Sequence, residues 1–133
     1  MYGRAGFYQY QCVVPSNAQE AAIRDLVAII VRSGAASFLA VLKTFGARHS
    51  GGLISFPMEG ATLALDFPNR GAATLQLLAK LDAVVSAASG RLYPAKDGRM
   101  PAAMFQAGYP EWTRLRALKD PALSSDFWRR VCQ

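Results

Sequence analysis

Apolar and polar residues alternate along residues 7–14, FYQYQCVV, with Tyr8, Tyr10, Cys12 and Val14 on one side and Phe7, Gln9, Gln11 and Val13 on the other. A period of two predicts a strand, because successive side chains point to opposite faces. Pro15 ends it, and Ser16 with Gln19, or Asn17 with Glu20, has capping-box spacing for a following helix. Ile23, Leu26, Val27 and Ile30 then fall at i, i+3, i+4 and i+7, one core-facing stripe, with Gly34 placed as a C-terminal cap. Residues 37–46, SFLAVLKTFG, are rich in strand-favouring side chains and carry a single charge, Lys43. Gly51, Gly52, Pro57 and Gly60 break the pattern over residues 47–60, which reads as a loop or bent hairpin. Residues 61–67, ATLALDF, form a third strand stopped by Pro68. Asn69 opens a second helix, where Leu77, Leu81, Val84 and Ala88 keep helical spacing up to Gly90, and Arg91, Leu92 and Tyr93 start a short fourth strand.

The order strand, helix, strand, strand, helix, strand is the split βαβ pattern of a ferredoxin-like sandwich, in the α+β class. It predicts a unit over residues 1–93 and a helical tail over residues 94–133, with short helices at 100–107, 111–118 and 125–131. Trp112, Phe127 and Trp128 are a heavy aromatic load for a tail, so the tail is expected to dock. This fold carries many unrelated activities, and its function has to be read from particular residues.

Composition narrows the classes. With 133 residues, 52% of them hydrophobic, the chain is long enough for one real core. The net charge of +6 raises nucleic-acid binding. However, the basic residues beyond Gly90 alternate with Asp97, Glu111, Asp120 and Asp126, and only Tyr8 and Tyr10 form an aromatic pair on the first strand, so an RNA-binding sheet ranks last. No apolar run approaches the ~20 residues of a membrane span, and residues 1–6 lack the pattern of a secretion signal, which places the chain in the cytoplasm. Cys12, Cys132 and His49 show no metal-ligand spacing, and two free thiols are expected.

Few residues offer chemistry. Gln9 and Gln11 project from one strand face as paired amide donors and acceptors suited to a hydroxylated ligand, or as a polar stripe facing solvent. Lys43 either points into a site that needs positive charge or guards a strand edge. Residues 90–99, GRLYPAKDGR, set Tyr93 and Lys96 just past a strand end, where a lysine can stabilise developing negative charge; the bland alternative is a charged turn. Asp66 is expected in a structural ion pair, His49 in a loop, and Gly51-Gly52 lacks the surroundings of a phosphate loop.

The runs YQYQCVVP (8–15), SFLAVLKTFG (37–46), LALDFPNRG (63–71), GRLYPAKDGRM (90–100) and the terminal SSDFWRR resemble the C-terminal part of FAD-linked oxidoreductases of the vanillyl-alcohol oxidase superfamily, among them the sugar-alcohol and aldonolactone oxidases. The resemblance spans nearly the whole chain. It implies a ferredoxin-like substrate domain whose tail returns to an FAD domain, and oxidation of a hydroxyl on a sugar-like, polyol or lactone substrate. By motif, Lys96 matches an active-site lysine near flavin and substrate, Tyr93 a flavin-contacting residue, and Gln9, Gln11 and Lys43 positions lining the substrate pocket. A sugar-oxidising member of the family has a pocket cysteine before a V-D-F-P run; here Ala64 precedes Leu65-Asp66-Phe67-Pro68. The residues that cradle the FAD pyrophosphate in the family lie before the point where this sequence begins. The chain alone is therefore expected to be inactive without the flavin domain or a separate chain supplying it, and its bare surface predicts a homo-oligomer. The alternative is a stand-alone ferredoxin-like module that binds a ligand or protein without catalysis.

Overall fold

A computed structural model describes residues 3–35, 37 and 39–132. The elements run β1 (Phe7–Pro15), α1 (Gln19–Ser33), β2 (Ala40–Phe45), β3 (Gly60–Pro68), α2 (Ala72–Ala87), β4 (Arg91–Leu92), α3 (Ala102–Gly108), α4 (Trp112–Leu118) and α5 (Asp126–Val131), with a 3-10 turn at Pro94–Lys96. The strands form one antiparallel sheet in the order β2-β3-β1-β4, the ferredoxin-like arrangement that the element order predicts.

The alternation of β1 sends Tyr10, Cys12 and Val14 into the core beneath α1 and α2. There they meet Leu63, Leu65 and Phe67 of β3 and Leu26, Leu78, Leu81 and Val85 of the helices. The stripe of α1 is rotated from its expected position. Ala22 and Leu26 are buried, whereas Val27 is exposed on the side of β2, where it borders a groove shared with Leu63 and Leu65 of β3. The expected capping box does not form either. The helix begins at Gln19, its cap position falls on Ala18, and Ser16 and Asn17 sit in a turn closed by Ala18 N donating to the Pro15 carbonyl at 3.0 Å. Gly34 does end α1 in the left-handed conformation, at φ 64°.

The second helix starts three residues after Asn69, whose Oδ1 accepts from Gly71 N at 3.0 Å and shapes the turn before it. Thr74 ties that turn down, accepting from Arg70 N at 3.0 Å and donating to the Pro68 carbonyl at 2.8 Å. At the other end, Gly90 passes so close to β1 that a Cβ there would lie 2.5 Å from the Val13 carbonyl oxygen. The strand expected over residues 37–46 is shorter, Ala40–Phe45, and Phe38 lies outside the described residues.

The tail packs on the chain's own core. Phe127 meets Phe105 edge-on at 5.3 Å between ring centroids, Trp112 and Trp128 lie against the core, and Gln106 Nε2 donates to the Val131 carbonyl at 3.0 Å. The Tyr109 hydroxyl donates to the Leu92 carbonyl, which fastens α3 beside β4. Cys12 and Cys132 are free and buried.

Candidate functional site on the open sheet face

Directly paired residues share a face of an antiparallel sheet. Gln9 pairs with Asp66, Gln11 with Ala64 and Val13 with Thr62, and Thr62 pairs in turn with Lys43. This row lies on the face opposite α1 and α2. Gln9, Gln11 and Lys43, proposed separately from the sequence, therefore share one side of the sheet, with the buried Val13 and Thr62 between the glutamines and Lys43.

Past β4 the backbone continues the pairing for one residue, as Tyr93 N donates to the Gln11 carbonyl at 2.9 Å, and then turns through Pro94–Lys96. The turn aims Lys96 back across the sheet edge, where Nζ donates to Gln9 Oε1 at 3.0 Å. An ammonium has three N–H donors, so this contact leaves others for a ligand. Gln11 Nε2 donates to Thr62 Oγ1 at 3.3 Å, which fixes that amide across the strand pair. Tyr93 stacks on Phe56, ring centroids 4.5 Å apart, and Phe56 meets Phe45 edge-on at 6.0 Å. These three rings wall one end of the polar face.

Beneath Lys96 lies a cavity of about 20 Å³, bordered by Tyr8, Gln9, Tyr10, Tyr93, Gly98 and Arg99. That is room for about one water. Arg99 forms a double contact with Asp82 of α2, through Nη1 to Oδ2 and through Nη2 to Oδ1 at 2.8 Å, with both side chains largely shielded. Burial alone would lower the pKa of this guanidinium, but the hydrogen bonds and charge of Asp82 outweigh it and raise it. The Tyr10 hydroxyl is buried and, among the described residues, has no partner of good hydrogen-bond geometry. Burial first, then the Cys12 and Asp82 charges, push its pKa well above the ordinary value.

Some of this was not visible in the sequence. Phe56 sits in a stretch that reads only as a loop, and the pairs Asp82–Arg99 and Asp97–Arg130 join residues 17 and 33 positions apart, which no local pattern reveals. Asp82 does carry a signal, as an acid inside an otherwise apolar helix face. The ion pair expected at Asp66 does not form; its carboxylate lies on the polar face opposite Gln9, and no cation reaches it among the described residues. His49 is exposed in the β2–β3 connection. Among the described residues no group of acidic, His and Cys side chains is arranged to hold a metal, and no helix is long and apolar enough to cross a membrane.

Fold and site together define a ferredoxin-like α+β domain that presents a lysine and amides on its open face. Over 135 aligned residues the chain is 44% identical to decaprenylphosphoryl-β-D-ribose oxidase of Mycolicibacterium smegmatis (strain ATCC 700084 / mc(2)155), a match covering 98% of this chain and 29% of that protein. It is 36% identical over 131 residues to an "uncharacterized protein in mprA 5'region" of Streptomyces coelicolor, covering 95% of this chain and 35% of that one. The chain thus spans about a third of the length of these curated relatives, and it matches a fragment of a protein named as an oxidase. No protein-family model matches it.

Proposed function

We propose that this chain is the substrate-side domain of an FAD-dependent oxidoreductase that oxidises a hydroxyl of a sugar-like, polyol or lactone substrate, and that it works only with a flavin-binding domain. The observation that carries the reading is the Lys96–Gln9 contact on the open face, in a chain 44% identical to a segment of an oxidase of a phosphoryl-ribose compound.

The donor set fits the ring end of FAD. A lysine ammonium and amide N–H groups suit a ring or oxygen that gains negative charge, and the sequence has no G-x-G-x-x-G run for the pyrophosphate. The chemistry that FAD would supply there, when bound, is acceptance of a hydride. Lys96 would stabilise the charge that develops beside it, and Tyr93, stacked on Phe56, would help to hold the flavin. Gln9 and Gln11 orient substrate hydroxyls, each offering both a donor and an acceptor. Lys43, exposed at the far side of the row, holds an anionic group such as a phosphate.

The partner in this reading meets the flank of β2. An apolar groove of about 410 Å³ runs there between Val27, Ile30 and Val31 of α1 and Leu63 and Leu65 of β3. Either the flavin domain or a second copy of the chain covers it.

The test is a visible absorbance spectrum of the purified chain with FAD, repeated with a co-expressed flavin domain. Flavin is expected to be retained only in the second case. In that assembly Lys96→Ala is expected to slow flavin reduction by substrate by about 100-fold or more, the scale of a lost charge-stabilising donor. Undiminished reduction would remove Lys96 from the reaction.

A further inference from the structure

We propose that Arg130 of the C-terminal helix is a positioning residue for Lys96, acting through Asp97; this rests on Lys96 being the working lysine of the face. Among the described residues the Lys96 ammonium has one hydrogen bond, to Gln9. Where its ammonium stands is therefore set by the backbone of residues 93–100.

That backbone is held from two sides. Lys96 N donates to the Tyr93 carbonyl and Asp97 N to the Pro94 carbonyl, each at 3.0 Å, which closes the 3-10 turn. Asp97 Oδ1 then accepts from Arg99 N at 3.1 Å and Met100 N at 2.7 Å, folding the loop around one carboxylate. The other oxygen, Oδ2, is taken by Arg130, whose Nε also donates to the Met100 carbonyl at 3.3 Å. On the opposite side Arg99 is fixed to Asp82 of α2. Lys96 sits directly before the carboxylate on which the α5 attachment converges.

The two attachments differ in kind. The Asp82–Arg99 pair is shielded and anchors the loop to the core, whereas the Arg130 side chain is 40% exposed and comes from the last helix. With Asp97 9% exposed, this pair is open to solvent on the Arg130 side alone, which screens it and keeps its contribution to stability modest. Its effect is on geometry, and a lysine displaced by about 1 Å from a reacting atom loses on the order of 100-fold in rate. With Arg130 removed, Asp97 keeps its backbone contacts, the loop pivots about the Arg99 anchor, and Lys96 leaves Gln9.

The experiment measures how fast each lysine of the purified chain is acylated by an N-hydroxysuccinimide ester, read residue by residue by mass spectrometry, with Lys80 on α2 as internal reference. In Arg130→Gln and in Asp97→Asn the Lys96 rate relative to Lys80 is expected to rise about threefold, as the ammonium is freed from Gln9. Arg130→Lys, which keeps the charge, is expected to restore most of the wild-type ratio, with circular dichroism unchanged throughout. An unchanged Lys96 rate in folded Arg130→Gln overturns the proposal, and if that variant does not fold, an unchanged rate in Asp97→Asn does so. Failure of the flavin reading appears elsewhere, as undiminished flavin reduction in Lys96→Ala, and leaves these acylation rates untouched.

Discussion

Cys12 sits in the middle of β1 with no exposed surface, and burial pushes its thiol up to about 12, hydrogen bonding from the Leu63 backbone opposing this only in part. The folded chain therefore holds this proton more tightly than the unfolded chain, whose thiol has the ordinary value near 9. Below that value both states keep the proton and the contribution to stability is constant. Above it only the unfolded chain gives the proton up, so stability falls as pH rises toward the folded value. Tyr10 and Tyr109, both raised by burial, act in the same direction at higher pH. The thermal midpoint is expected to be level up to about pH 9 and to decline beyond it, with a shallower decline in Cys12→Ala; an equal slope in that variant would mean Cys12 contributes nothing. The inward position of Cys12 was legible in the sequence, as was the shared outward face of Gln9 and Gln11, because a period of two assigns sides without knowledge of neighbours. The contact between Lys96 and Gln9 was not, since it joins residues 87 positions apart. The resemblance to a family named both residues, but only the fold brings them within a hydrogen bond.

Elements were predicted in the right order and with the right partners because apolar periodicity reflects which face is buried. Their ends were less legible. The caps expected at Ser16 or Asn17 and at Asn69 fell on Ala18 and Gly71 instead, since in each case a short turn comes between the strand's proline and the helix. The short β2 has a related cause, as its pairing starts only where Ala40 meets Leu65. Gly90 shows the difference between two uses of glycine. It reads as a helix stop, yet Ser89 makes the left-handed turn, at φ 55°, and what Gly90 provides is close approach. A Cβ there would meet the Val13 carbonyl oxygen at 2.5 Å and the Val14 and Val85 methyls at 3.0 Å. Gly90→Ala is expected to destabilise the chain by about 1–3 kcal/mol in urea unfolding, through displacement of β4 from β1. A loss near zero would show that the junction yields freely.

For the whole molecule, the two edges of the sheet are unequal. Beyond β4, which is two residues long, α3 is packed in place, with Gly108 against Arg91 and the Tyr109 hydroxyl on the Leu92 carbonyl. Beyond β2 no further strand pairs among the described residues, and Leu42 is exposed on the helix side of this edge and Val41 on the other, with Leu39 exposed just before it. An apolar free edge of this kind favours pairing with another chain. Light scattering at micromolar concentration is expected to give the mass of a dimer for the isolated chain, and Leu42→Lys that of a monomer; a monomeric wild-type chain would leave the flank to the flavin domain alone. The sequence held the apolar residues of this flank but not their exposure, because strand order decides which strand ends at an edge. With one edge sealed and one open, the sheet has a valence of one. Two copies meeting through β2 would exhaust each other's open side, so that association would end in a closed pair and not in a fibre, and any other partner using this edge would compete with the second copy.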